Sequence, residues 1–335
     1  MKIIITGGTG FLGMRLARRI LERGCLHGPD GRPASVNEVV LFDHHVPQEW
    51  LGAHRTEDPR LSVVQGDIAD RATVAALIDR PQVGVFHLAS VVSAGAEQDF
   101  DLAMRVNLDG HRNVLEALRA LGSHPRYVFT SSLAVYGGEP ALGAVSDATR
   151  HTPQTTYGAT KSIGELLVND YTRKGYIDGR SARLGMVVVR PGAPNRAASS
   201  FASAVLREPL NGVDYVLPVP LETQVAIAGY RTVIEGLIAL YELDGGRLGE
   251  DRALNLPTLS LAVADMIAGL HRVAQNRRLG AILVEPDPFT SAVVSGWPRA
   301  LGAERARALG LPQDRNVDAI IREYMQDYLP EEGRS

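Results

Sequence analysis

Tyr157 and Lys161 stand four residues apart in a stretch whose apolar residues Ile163, Leu166, Leu167 and Tyr171 recur at helical period. On a helix that spacing puts both side chains on one face. A phenol with its ordinary pKa near ~10 is too weak a base at neutral pH. An adjacent ammonium favours the phenolate and brings that value down, so the pair suits proton exchange with a substrate hydroxyl. Ser132 ends the segment Arg126-Tyr127-Val128-Phe129-Thr130-Ser131-Ser132. A hydroxyl there can bond a substrate hydroxyl or carbonyl and steady charge developing on its oxygen. A Tyr-x-x-x-Lys pair alone is equally an exposed helix face, so the rest of the chain decides.

The deciding context is the start, Met1-Lys2-Ile3-Ile4-Ile5-Thr6-Gly7-Gly8-Thr9-Gly10-Phe11-Leu12-Gly13. Ile3 to Ile5 suit a buried parallel strand. Gly7, Gly10 and Gly13 follow at three-residue spacing, and Leu16, Ala17, Ile20 and Leu21 then recur at helical period. Strand, glycine turn and helix form the setting in which such glycines bind a dinucleotide. Gly7 allows the tight turn, Gly10 lets backbone approach a pyrophosphate, and Gly13 lets helix and strand pack closely. The helix N-terminus offers N–H groups to the phosphates. With a nicotinamide dinucleotide in place, Tyr157 can exchange the proton while hydride moves, and Lys161 can also hold the ribose of the nicotinamide half.

Further strands are expected at 38–42, 61–68, 83–90, 126–132 and 183–190, with a loop over 24–33. Asp43, after the second strand, can accept both ribose hydroxyls of the adenosine half. It lies 30 residues beyond Gly13, against a usual ~20, and the Gly/Pro-rich loop accounts for the excess. Asp43 would repel a 2′-phosphate and no Arg follows it immediately, which favours NAD over NADP. Asp67 can bond the adenine amino group or cap the helix starting near Arg71. Ala89 and Ser90 are small, letting backbone approach a cofactor, and Ser90 can reach substrate. His87, inside an apolar run, reads as a packed core histidine. A helix is expected over 99–121, where the Asn107 amide is either a surface group or a functional hydrogen-bonder.

The 335 residues include 45% hydrophobic and 22% charged residues, with a formal net charge of -3. This is ordinary globular composition, and the charge argues against nucleic-acid binding through a general basic field. Cys25 is the only cysteine. It permits no intramolecular disulfide, reads as a small packing residue, and fits a reducing cytoplasm. The first strand begins at once, so no secretory signal is expected, and no apolar run has the length to span a bilayer. No metal is expected.

The chain resembles the extended short-chain dehydrogenases/reductases, the superfamily of NAD-dependent epimerases and dehydratases of sugars. The resemblance rests on Thr6 to Gly13, Gly66-Asp67-Ile68, His87-Leu88-Ala89-Ser90, Asn107, Ser131 to Gly137, Tyr157 to Lys161 and Arg190-Pro191-Gly192. It implies an α/β fold: a doubly wound parallel Rossmann sheet over residues 1–192, with a smaller substrate domain over 193–335 and a strand near 252–256 returning to the main sheet. It also implies that Ser132, Tyr157 and Lys161 are catalytic and that Asn107 supports the surroundings of Lys161. Gly7, Gly10, Phe11, Leu12, Gly13, Asp43, Asp67, Ile68, Leu88, Ala89 and Pro191 would surround NAD. A homodimer follows from the same resemblance.

Past Pro191 the sequence departs from the nucleotide-sugar enzymes and is similar to a branch that oxidises a four-carbon sugar acid at C2. An acid substrate needs a cation, and Arg196 and Arg231 are the candidates, because guanidinium grips carboxylate through two parallel N–H bonds. Asn195, Ser199 and Ser200 can bind hydroxyls. Each arginine is equally well a surface ion pair. A nucleotide-sugar 4-epimerase would use the same Ser/Tyr/Lys set and hand the hydride back. A non-catalytic NAD sensor would be expected to have lost that set.

Overall fold

The computed structural model describes residues 1–28, 30–47, 58–192 and 198–329. Seven strands form the main sheet: β1 (Lys2–Thr6), β2 (Glu38–Asp43), β3 (Leu61–Gln65), β4 (Val83–His87), β5 (Arg126–Ser132), β6 (Asp178–Leu184) and β7 (Ala253–Asn255). Their order across the sheet is β3-β2-β1-β4-β5-β6-β7. Parallel pairing joins β1 to β2 and β4, β2 to β3, and β4 to β5, with Ile5 level with both Leu41 and Phe86. The winding reverses between β1 and β4. In sheets of this kind ligands bind beyond the strand C-termini at such a reversal.

The helices that follow these strands are α1 (Phe11–Arg23), α2 (Arg71–Leu77), α3 (Ser93–Gln98), α4 (Phe100–Ala103), α5 (His111–Leu121) and α6 (Thr156–Arg173). Ile4, Val85 and Phe129 from the strands meet Val74, Leu115 and Val168 from α2, α5 and α6 in one apolar core. Each such side chain taken fully from water contributes roughly 1.5–3 kcal/mol.

The chain divides into two compact units that are discontinuous in sequence. One comprises 1–132, 155–183 and 236–254, and the other 133–154, 184–235 and 255–335. No single cut at residue 192 reproduces this division. The second unit has its own sheet, in which Met186–Val188 pairs in parallel with Gln224–Gly229, and the latter pairs antiparallel with Leu259–Ala262. Its core joins Val205, Leu206, Met266, Leu270, Ile320 and Ile321.

Several local expectations are corrected. The segment expected as a loop contains a short antiparallel pair, Cys25–His27 with Pro33–Ser35, and Cys25 is exposed rather than packed. The apolar run 183–190 is not one strand. The main-sheet strand lies earlier, at Asp178–Leu184, and Met186–Val188 belongs to the small sheet. Polar residues hid β6, because its charges are buried and paired. Asp178 faces Arg126, Arg180 and Arg252, while Arg183 pairs with Glu165. Gly185 marks the break, since a Cβ there would lie 2.6 Å from Thr258 Cγ2. The expected helix 99–121 is α4, a π-helical turn over Met104–Gly110, and then α5.

Candidate active site

The glycine turn is built against backbone. Gly7 has φ +66°, and a Cβ on it would lie 2.8 Å from the Ala89 nitrogen. Leu88 N donates to the Thr6 carbonyl at 3.0 Å and Ala89 N to Thr6 Oγ1 at 3.3 Å, fixing the segment after β4 to the end of β1. Gly13 is required by contact rather than by φ, because a Cβ there would lie 2.6 Å from the Gly7 carbonyl oxygen. Gly8 is equally hemmed in, 2.6 Å from the Ile5 carbonyl oxygen by the same measure, a constraint the three-residue spacing did not single out. Gly10 is the N-cap of α1, which has no side-chain cap and no acid in the first turn formed by Phe11, Leu12 and Gly13. The first turn of that helix thus supplies no carboxylate of its own to the helix's positive end.

Asp43 closes β2 beside this turn, accepting from Thr9 N at 3.1 Å and His45 N at 3.4 Å. Asp67 accepts from Ala69 N at 2.9 Å and pairs with Arg105 of the π-helical turn. Burial pushes the Asp67 carboxyl up, but the bonds from Arg105 and Ala69 outweigh it and hold it below the usual range. The expected capping role falls to Asp70, whose carboxylate accepts from Ala72 N. The neighbouring Ile68 is buried. A glycine cradle, an uncapped helix start and a carboxylate at the next strand's end fit the pyrophosphate and adenosine ribose of NAD.

The residues expected to transfer the proton join β5 to α6. Thr155 caps α6, its side chain accepting from Gly158 N at 3.0 Å, and so fixes Tyr157 in the first turn. Ser132, the last residue of β5, is hydrogen-bonded to Tyr157. Lys161 is buried, and its Nζ donates to the Thr130 carbonyl at 2.8 Å. That nitrogen lies 4.8 Å from the Phe129 ring centroid and 5.5 Å from that of Tyr157.

The electrostatic balance differs from the sequence expectation. Burial raises the Tyr157 phenol above its ordinary value, against the bond from Ser132. Burial also lowers Lys161 to about 7, with the Glu165 carboxylate opposing. The same desolvation that disfavours a phenolate drives the ammonium toward neutrality.

Asn107 is buried in the π-helical turn. Its Oδ1 accepts from Val91 N at 2.7 Å and Ser90 Oγ at 3.1 Å, and its Nδ2 donates to the Val91 carbonyl at 3.0 Å and Thr160 Oγ1 at 3.3 Å. It thus clamps the strand end after β4 to the residue preceding Lys161. A π turn aims one amide inward where a regular α-helix would have rotated it on. Ser90, expected to face substrate, spends its hydroxyl on Asn107 and the Val91 carbonyl.

The remaining expected residues lie in the second unit or outside the described residues. Asn195 and Arg196 lie outside the described residues. Pro191, Ser199 and Ser200 belong to the second unit, with both serines in a short 3-10 turn. Arg231, also in that unit, forms a two-point pair with Asp327, Nη2 to Oδ1 at 2.5 Å and Nε to Oδ2 at 3.2 Å. Its guanidinium is thus held by a carboxylate of its own unit. Sequence reasoning missed Glu165, Ser131 and Arg183, although Glu165 follows Lys161 at the same four-residue spacing that links Lys161 to Tyr157. Among the described residues no cluster of His, Cys, Asp and Glu is placed to hold a metal, and no helix is long and apolar enough to cross a membrane.

The family model for the NAD dependent epimerase/dehydratase family matches residues 3–226. The chain is 48% identical to a D-erythronate dehydrogenase of Cupriavidus necator, over 98% of both chains. It is 37% identical to a D-erythronate dehydrogenase of Haemophilus influenzae, over 97% of this chain and 99% of that one. Among solved structures, a nucleoside-diphosphate-sugar epimerase from Agrobacterium tumefaciens superposes with a TM-score of 0.90 at 35% identity, covering 98% of this chain and 94% of that one.

Proposed function

Because the chain belongs to the NAD-dependent epimerase/dehydratase family, we propose that it oxidises D-erythronate at C2 to 2-dehydro-D-erythronate, reducing NAD. The observation that carries the chemistry is the hydrogen bond between Ser132 and Tyr157 beside the buried Lys161. The choice of acid rests on the two relatives of that name. NAD, when bound, supplies the hydride acceptor.

Ser132 Oγ bonds the C2 hydroxyl oxygen and orients it. Tyr157 Oη takes the hydroxyl proton as the C2–H electron pair leaves, so the alcohol loses one hydride and one proton and becomes the ketone. Lys161, held by the Thr130 carbonyl, favours the phenolate by its charge. Asn107 fixes the segment from which Leu88, Ala89 and Ser90 border the cofactor. Asp43 would receive the adenosine ribose and Asp67 would bond the adenine, with Ile68 and Pro191 further candidates to hold NAD. Asn195, Arg196 and Ser199 remain the candidates for the acid and its hydroxyls.

The protein acts as a homodimer in this reading, in a reducing cytoplasm that suits a chain with one cysteine. Leu166 and Ile163 on α6, with Phe100 on α4, are exposed apolar side chains that a second copy can cover. Sedimentation at micromolar concentration checks that state.

A second reading, a nucleotide-sugar 4-epimerase, is favoured by the likeness to the Agrobacterium tumefaciens structure. Purified protein with NAD and, in parallel, D-erythronate, L-threonate or a UDP-hexose separates the two. NADH in proportion to erythronate consumed supports the dehydrogenase. Isomer interchange of the UDP-hexose with no net NADH overturns it in favour of the epimerase.

A further inference from the structure

Lys161 lies where several elements converge, and most of what faces it is uncharged. From β4 comes His87, whose Nδ1 shares a hydrogen bond with Thr6 Oγ1 at 2.8 Å. From α5 comes His111, stacked at 4.4 Å on Phe129 and 5.1 Å from His87. Both imidazoles are fully buried, and burial holds both well toward the neutral form. From α6 come Tyr157, one turn before, and Glu165, one turn after. Glu165 is the carboxylate that follows Lys161 at four-residue spacing, and it is 2% exposed.

The Glu165 carboxylate is gripped from two directions. Arg183 of β6 donates through Nε to both oxygens at 3.0 Å and through Nη2 to Oε2 at 2.7 Å. Ser131 of β5 donates its hydroxyl to Oε1. Ser131 stands between Thr130, whose carbonyl receives Lys161, and Ser132, which bonds Tyr157. One carboxylate therefore ties α6 to the strand end that carries two of its neighbours' partners.

We propose that Glu165 is a positioning residue for the reaction, a carboxylate fixed by Arg183 and Ser131 that acts through Lys161 as its buried counter-charge. This rests on the reading of Tyr157 and Lys161 given above. A buried ammonium without a partner is strongly disfavoured. The direction of the electrostatics agrees, since Glu165 opposes the lowering of Lys161 by burial. Arg183 has a separate role. It satisfies the carboxylate's other lone pairs and keeps it ionised and in one rotamer.

The chain has only three lysines, Lys2, Lys161 and Lys174, so Lys161 can be followed by itself. Full-length protein carrying 13C-labelled lysine is titrated by NMR, with and without NAD, as wild type and as Glu165→Gln. The Lys161 midpoint is expected to fall by about one pH unit or more, the range of a single nearby charge. Above that midpoint kcat falls about tenfold with KM little changed, following the lost ammonium fraction.

If Glu165→Gln does not fold, the double variant Glu165→Gln/Arg183→Met is compared with Arg183→Met alone, so that loss of the guanidinium charge is common to both. A Lys161 midpoint below that of its reference, wild type for the single variant and Arg183→Met for the double, supports the proposal. A midpoint equal to that reference overturns it and leaves Glu165 a packing residue. The outcome is separable from that of the substrate reading. Wild type that forms no NADH with D-erythronate overturns the substrate assignment, while the lysine titration still reports on Glu165.

Discussion

The Lys161 ammonium nitrogen lies 5.5 Å from the centroid of the Tyr157 ring, one helical turn away on the same face of α6. That face points at the end of β5, where Ser132 bonds the tyrosine and the Thr130 carbonyl holds the lysine. Tyr157, Lys161 and Ser132 are thus set by one strand end and one helix start.

Tyr157→Phe removes the proton acceptor and little else. Turnover is expected to fall by about 10²–10⁴-fold, while NAD binding, followed by fluorescence titration, is retained. Turnover near the wild-type rate would sink the assignment of Tyr157 as the base.

Asp43 stands at the end of β2, bonded to Thr9 N of the glycine turn. Replacing it by serine deletes the acceptor for the ribose hydroxyls and the charge that repels a 2′-phosphate. NAD affinity should fall by about tenfold or more, the size of a lost hydrogen bond to a charged group, and the preference over NADP should narrow. Calorimetry with both cofactors measures it, and an unchanged ratio removes Asp43 from the ribose site.

His111 has no hydrogen-bond partner on either ring nitrogen among the described residues, and burial, with the nearby Lys161 charge, lowers it to about 3. Between the unfolded value near 6.5 and about 3, the unfolded chain binds a proton that the folded chain refuses. Stability carried by neutral His111 is therefore complete above about pH 6.5 and lost as pH falls, by about 1.4 kcal/mol per pH unit. His111→Leu should flatten the acid arm of the stability curve by that slope. Urea unfolding from pH 4 to pH 8 tests it, and parallel curves for the two proteins would contradict it.

Asp178 carries three buried guanidiniums, with Arg180 Nη2 at 2.8 Å, Arg252 Nη2 at 3.0 Å and Arg126 Nε at 3.2 Å. Asp178→Asn leaves them without their anion and should destabilise the fold by ~3–5 kcal/mol. A urea midpoint within error of wild type would show that helix-end carbonyls, such as that of Tyr241, suffice for Arg126 and Arg180.

The parts of this protein written in local period were legible from the sequence. The glycine turn after three isoleucines, the carboxylate closing β2 and the Tyr157–Lys161 spacing are properties of short segments, set by backbone sterics and by the 3.6-residue repeat. They were sufficient to place the sheet and the cofactor type, and they nominated Ser132, Tyr157 and Lys161 for the proton transfer.

What tertiary structure decided was the fate of buried charge. Nothing local distinguishes Asp178, Arg180 and Arg183 from a solvated run, so β6 was placed too late. Only the packing of β5, α6 and β7 beside it pairs those charges away from water. Asn107 lies in a helical pattern, and only the π turn aims its amide at Val91 and Thr160. Arg231 is a plausible acid receptor by type, and only the approach of Asp327 from 96 residues away commits it to an ion pair. A charge's function depends on its partners, and partners distant in sequence are chosen by the fold.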